Sequence, residues 1–154
     1  MLLPTRSDGI KFMMRASSFT LAVLAGCALA GCAAMPTLNA WDAVAAAPKG
    51  HQVLIDNDEI RVLRVSIAPG DVEPIHEHAW PSVMYFEQPQ PITYVAYELV
   101  HGAPVERQRV EAPAMPAGHT EWLAAEGLHS VENRGTAPFV ALRVELKNSA
   151  GPTQ

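Results

Sequence analysis

A chain of 154 residues, 49% apolar and 18% charged, suits one ordinary domain and is too apolar for a disordered chain. Its 16 acidic against 11 basic residues give a net charge of −5, which excludes an electrostatic nucleic-acid binder. The 13 prolines outnumber the 10 glycines, so many turns are expected.

In chain order, Lys11 and Arg15 precede an uncharged run from Ala16 to Gly31. The run is too short and too rich in small residues for a comfortable membrane span, and it reads as a secretory signal. It ends in Leu24-Ala25-Gly26-Cys27 and Leu29-Ala30-Gly31-Cys32, and each tetrad resembles the lipobox of bacterial lipoprotein precursors. Cys32 is the expected lipidated residue. A start at Met13 or Met14 then gives a signal of ordinary length, whereas cutting at Cys27 would strand Cys32 as an odd thiol in an oxidising compartment. Residues 1–31 are thus expected to be a cleaved lipoprotein signal peptide, leaving a chain tethered to the membrane rather than spanning it. The expected location is the periplasmic face of the cell envelope. Ala33, standing where the enteric sorting rule would need aspartate to retain the protein at the inner membrane, implies the outer membrane. Without residues 1–31 the chain has 15 acidic and 8 basic residues, scattered in a way that suggests a solvated anionic surface.

Residues 32–49 are Ala-rich and Pro-punctuated and read as a tether, with a short helix over Trp41 to Ala47. The domain is drawn over residues 50–148, and 149–154 read as a disordered tail. Within the domain the periodicity is that of strands. Val53 and Ile55 lead through Asp56-Asn57-Asp58 into Ile60 to Ile67, a hairpin that stops at Pro69-Gly70. Further strands are predicted at Ser82 to Phe86, Ile92 to Leu99, Val105 to Val110, Thr120 to Leu123, Leu128 to Glu132 and Phe139 to Leu146. Turn signals such as His101-Gly102 and Asn133-Arg134-Gly135 separate them. About eight short strands and no long helix predict an all-β sandwich or barrel. Val62, Val65, Ile67, Val95, Val140 and Leu142 are the predicted core.

The chemistry concentrates in Gly70-Asp71-Val72-Glu73-Pro74-Ile75-His76-Glu77-His78. Residues two apart in extended backbone share a face, so His76 and His78 present two imidazoles side by side. His129, on a later predicted strand, opens His129-Ser130-Val131-Glu132-Asn133. These two segments resemble the first and second motifs of the cupins: glycine, five residues, His-x-His, and then His-x-x-x-Asn several strands later. The runs from His76 to Phe86 and from His129 to Lys147 are also similar to a group of small single-domain bacterial cupins without an assigned activity. The resemblance covers about 100 residues. It implies a double-stranded β-helix (jelly-roll) barrel, a divalent metal site and a homodimer, and it leaves the reaction open.

Two departures from the cupin pattern shape the expected site. The glutamate ligand after the second histidine is replaced by Ser82 or Val83, leaving His76, His78 and His129 as the expected ligands. The Pro-x-Gly of the second motif is missing before His129, while Pro116-Ala117-Gly118 would put Glu121 at the ligand position, so Glu121 competes as ligand or acid/base group. Three neutral imidazoles leave coordination positions open for water or a small anion. The ion, iron, manganese, nickel or zinc, is not specified by these residues. Three-histidine cupins that resemble this pattern include thiol dioxygenases and diketone-cleaving enzymes. Tyr85, placed on an inward face with Val83 and Glu87, is a candidate donor to a bound ligand. Trp80 and Trp122 are candidates for pocket lining or plain packing. His101 and His119 read as surface residues, and His51 has no evident partner. There is no phosphate-binding glycine loop, no Gly-x-Ser-x-Gly and no cysteine after Cys32. Two classes therefore stand: a metal-dependent enzyme, oxygenase-like or isomerase-like, acting on a small anionic metabolite, and a non-catalytic module binding a small molecule or metal.

Overall fold

The computed structural model describes residues 39–148; the signal region with Cys27 and Cys32, and residues 149–154, lie outside the described residues. Among the described residues, one short helix, α1 (Ala43–Ala46), precedes nine strands. These are β1 (His51–Asp56), β2 (Ile60–Ile67), β3 (His76–His78), β4 (Ser82–Gln88), β5 (Ile92–Val100), β6 (Ala103–Ala112), β7 (Thr120–Leu123), β8 (Glu126–Asn133) and β9 (Phe139–Leu146). They form two antiparallel sheets, ordered β1-β2-β9-β4-β7 and β3-β8-β5-β6. This is the all-β jelly-roll barrel that the strand periodicity and the motif resemblance lead one to expect.

The predicted hairpin is present, with Ile60 onwards pairing back on His51–Asp56. His101-Gly102 makes the two-residue turn between β5 and β6, with both residues at positive φ (51° and 82°). Such a turn matches the twist of the strands it joins, and it suits glycine at its second position.

Alternation along the central strands decides what is inside. On β2 the buried residues are Arg61, Leu63, Val65 and Ile67, and on β4 they are Ser82, Met84 and Phe86. The pairing aligns them in rows across the sheet. Val65 lies opposite Ala141 and Ala141 opposite Phe86; Leu63 lies opposite Arg143 and Arg143 opposite Met84; Arg61 lies opposite Glu145 and Glu145 opposite Ser82. One part of the barrel is therefore apolar, built on Leu63, Val65, Ile67, Met84, Phe86, Phe139 and Ala141. A neighbouring part is polar and buried.

This register corrects two core assignments, because Val62 and Leu142 are out of phase with the buried set and are only half-buried. Not every charge belongs to the solvated anionic surface that their scatter suggests: Asp42, Arg61, Glu73, Arg143 and Glu145 are buried.

The segment read as a tether is, from Asn39 on, part of the domain. Asp42 caps α1 by accepting from the Val44 amide at 2.9 Å. It also takes the Arg61 guanidinium on both oxygens, Nη1 to Oδ1 at 3.0 Å and Nη2 to Oδ2 at 2.8 Å. Ala43 and Ala47 are fully packed, and the Glu77 amide donates to the Trp41 carbonyl at 2.7 Å. An Ala-rich composition marked a tether, yet the one acidic side chain in it satisfies a buried arginine. No helix among the described residues is long and apolar enough to cross a membrane.

Candidate metal centre

Strand pairing brings together histidines that are far apart in sequence. His76 on β3 lies directly opposite His129 on β8, and their ring centroids are 4.3 Å apart. His78, on the same face of β3, is 5.2 Å from His76 and 5.6 Å from His129. The expected trio is thus brought into one cluster, with all three rings buried.

A fourth imidazole joins them. His51, at the start of β1 and opposite Val65, lies 4.6 Å from His76 and 5.2 Å from His78 between ring centroids. The donor atoms offered by His51, His76 and His78 all lie within 4.8 Å of one another, making these three a compact set with His129 against its flank. Two nitrogens on one such ion are at most about 4.2 Å apart, so a small inward adjustment suffices. His51 carries no motif. Its signal was positional only, since pairing with Val65 places it on the inner face.

Each ring is fixed through Nδ1. His51 meets the Ala47 carbonyl at 3.2 Å, His76 the Pro74 carbonyl at 2.8 Å, His129 the Gly127 carbonyl at 2.8 Å, and His78 the Glu145 carboxylate at 2.7 Å. These oxygens only accept, so each Nδ1 carries the proton and each Nε2 keeps a lone pair. Such outer partners set tautomer and ring orientation in metal sites. Burial also keeps the rings neutral. It holds His51 at about 4 and His76 at about 3, and lowers His78 and His129, with the nearby Arg143 cation adding to the effect on all four. Neutral, pre-oriented imidazoles in contact with one another are a donor set that fits a divalent ion.

Around the cluster runs a ring of charge. Arg61 Nε donates to Glu145, whose other oxygen holds His78. Arg143 Nη2 lies 2.6 Å from Glu126 Oε2. Glu73 stands 3.6 Å from His51 Nδ1, and burial pushes its carboxyl up to about 8, Arg143 opposing. Gly50 makes room for it, because a β-carbon there would strike the Glu73 carboxyl. Tyr94 stacks on His129 with ring centroids 5.1 Å apart.

Other expected site residues fall elsewhere. Tyr85 is not on the inward face: Ser82, Met84 and Phe86 are, and Tyr85 is 44% exposed on the outside. This corrects its candidacy as a donor. Glu121 borders the cavity from the edge strand β7, but it is exposed and its carboxylate lies 3.9 Å from His119, so it is not among the clustered donors. Asn133, paired by motif with His129, is a structural clamp. Its side-chain amide donates to the Ile67 and Ala137 carbonyls at 2.9 and 2.8 Å, and its oxygen accepts from the Gly135 amide. Trp122 is 42% exposed, and Trp80 packs against the Arg61 and Lys147 cations.

The histidines line one wall of a cavity of about 200 Å³ whose other walls include Ile67, Met84, Phe86 and Phe139. The described lining contains no serine, threonine, cysteine or lysine, so a nucleophile of the usual kinds is not at hand.

No family model and no curated protein sequence matches the chain. Among solved structures it is similar to a cupin domain from Bordetella pertussis Tohama I, with 23% identity and a TM-score of 0.50 over 63% of this chain and 91% of that one. It is also similar to an uncharacterised protein with a double-stranded β-helix domain from Klebsiella pneumoniae (18% identity, TM-score 0.42, 66% of this chain and 78% of that one). A third similarity is to the polyketide cyclase RemF from Streptomyces resistomycificus (17% identity, TM-score 0.41, 64% of each chain). The Bordetella likeness is one of fold, and with the sheet order and the histidine cluster it identifies the chain as a cupin-type double-stranded β-helix with a group of histidines able to take a metal ion.

Proposed function

We propose that the protein is a metal-dependent cupin enzyme, oxygenase-like or isomerase-like, that acts on a small anionic metabolite. His76, His78, His129 and His51 are its metal ligands. The observation that carries this reading is the common orientation of the four rings, each with Nδ1 tied to an acceptor and Nε2 left with its lone pair. A divalent iron, manganese, nickel or zinc ion on such donors supplies a Lewis acid that polarises an oxygen atom of a bound ligand.

The chain's own groups divide the remaining work. Glu145 keeps the His78 proton on Nδ1 and is itself held by Arg61. Met84, Phe86 and Phe139 form the apolar part of the cavity wall and displace water from it. Tyr94 fixes the outer face of His129 by stacking, and its hydroxyl donates to Glu126 at 3.4 Å. Glu126 and Glu73 are the carboxyl groups lining the cavity beside the histidines, and they replace Tyr85 as candidates to hold a proton near a ligand.

We also propose that Cys32 is lipidated and that the domain sits at the periplasmic face of the outer membrane; the tandem lipobox-like tetrads support this. Loss of lipid labelling in Cys32→Ser is expected, and labelling lost only in Cys27→Ser would move the anchor.

Metal analysis of untagged, purified protein tests the catalytic reading. Near-stoichiometric iron, manganese, nickel or zinc is expected. No metal on purification and none regained on soaking would overturn it in favour of a non-catalytic ligand-binding module.

A further inference from the structure

Two arginines are buried on the inner face of the barrel, and their surroundings differ. Arg61 is fully engaged, with Nε donating to Glu145 and Nη1 and Nη2 to the two oxygens of Asp42. Arg143, only 3% exposed, has Nε and Nη2 without a hydrogen-bond acceptor among the described residues. These two nitrogens form one edge of the guanidinium. The nearest carboxylate oxygens are Glu126 Oε2, 2.6 Å from Nη2, and Glu145 Oε1, 3.9 Å from Nε. The first is close but not aligned as a hydrogen bond, and it too is left without one; the second is out of range. Burying guanidinium donors without acceptors is costly.

The position of Arg143 suggests what offsets that cost. It lines the same cavity as the four histidines. It occupies the middle of the sheet, opposite Leu63 on one side and Met84 on the other. Glu126 and Glu145 offset part of its charge, but neither accepts a hydrogen bond from the Nε and Nη2 donors.

We propose that Arg143 is the carboxylate-binding residue of the cavity, taking a small monocarboxylate side-on through Nε and Nη2, between the guanidinium and the ion held by the histidines. The inference rests on the metal reading above. A carboxylate matches the guanidinium edge with two parallel N–H···O bonds, which a neutral amide or alcohol does not. The apolar walls at Ile67, Met84 and Phe139, in a cavity of about 200 Å³, suit a short aliphatic or small aromatic body behind that carboxylate. Carboxylate and metal then bind with reciprocal positive coupling, each raising the affinity of the other by the same factor.

Calorimetric titration of the protein with Co2+ in acetate, against equal acetamide at matched ionic strength, tests this. Acetamide is the neutral isostere. The expected result is Co2+ binding about 5-fold or more tighter in acetate. The gain should be absent in Arg143→Gln, which still binds Co2+ in acetamide, and reduced in Arg143→Lys, which keeps the charge without the fork. Both variants are checked for the parent's circular dichroism, and the conclusion is drawn from whichever folds. Equal Co2+ affinity in the two media, or a gain that persists without Arg143, overturns the proposal. If Co2+ fails to bind in either medium, the metal reading falls separately, and titration of 13C-acetate into metal-free protein decides the role of Arg143. Acetate binding that disappears with Arg143 supports it, and no binding overturns it.

Discussion

Glu145 accepts a hydrogen bond from Nδ1 of His78 at 2.7 Å while its second oxygen takes the Nε–H of Arg61. One fully buried carboxylate therefore orients a histidine of the cluster and neutralises an arginine, and Arg61 carries the connection on to Asp42 at the cap of α1. Glu145→Gln keeps an oxygen for His78 but loses the charge. Metal affinity is expected to fall about 10- to 100-fold, measured by calorimetry with Co2+. An unchanged affinity would show that His78 needs no carboxylate to hold its orientation.

The Arg61–Asp42 pair makes the first described residues part of the folded unit. Asp42→Ala strips two acceptors from a buried guanidinium and removes the helix cap, so a loss of about 3–5 kcal/mol is expected from the urea unfolding midpoint. A change below about 0.5 kcal/mol would return the segment to the status of a tether.

Several features were readable from the sequence, and the reasons others were not are physical. Strand positions followed from alternation and turn residues, and His76, His78 and His129 from motif spacing; all three meet in the structure. His51 has neither motif nor neighbours of interest in sequence, and only the β1–β2 register turns it inward. Arg61, Arg143 and Glu145 were hidden by their chemistry. Charged side chains are almost never fully buried unless paired, so they read as surface, although Arg61 is in phase with Leu63, Val65 and Ile67, and Arg143 with Phe139 and Ala141. That phase was the available signal. Tyr85 failed for the converse reason: a one-residue choice of strand face sends it outward.

Stability of the metal-free protein should depend on pH through the cluster. The unfolded histidines titrate near about 6.5, whereas burial holds His51 at about 4 and His76 at about 3 and also lowers His78 and His129. Below about pH 6.5 the unfolded chain binds more protons, so stability is lost as pH falls toward 4. Glu73, pushed up to about 8, acts the other way, because its folded form retains a proton that the unfolded chain releases above about 4.5. Glu145, also raised by burial with Arg61 and Arg143 opposing, acts in the same direction as Glu73. With four imidazoles against two carboxyls, the acid side is the steeper. Urea midpoints should drop clearly from pH 7 to pH 4.5, and a flat profile would contradict a buried neutral cluster.

Tyr85→Phe removes a hydroxyl from the outer face of β4. Stability should change by less than about 0.5 kcal/mol and Co2+ affinity should not change. A tenfold loss of Co2+ affinity would bring Tyr85 back toward the site.

The central claim is that four histidines from β1, β3 and β8 share one ion. Anomalous diffraction from crystals of the Co2+-loaded protein tests it most directly. The account predicts a single strong peak within the cluster, with Nε2 of His51, His76, His78 and His129 each about 2.0–2.2 Å from it. A peak coordinated by Glu121 and His119 at the cavity mouth, or no peak among the four rings, would contradict it.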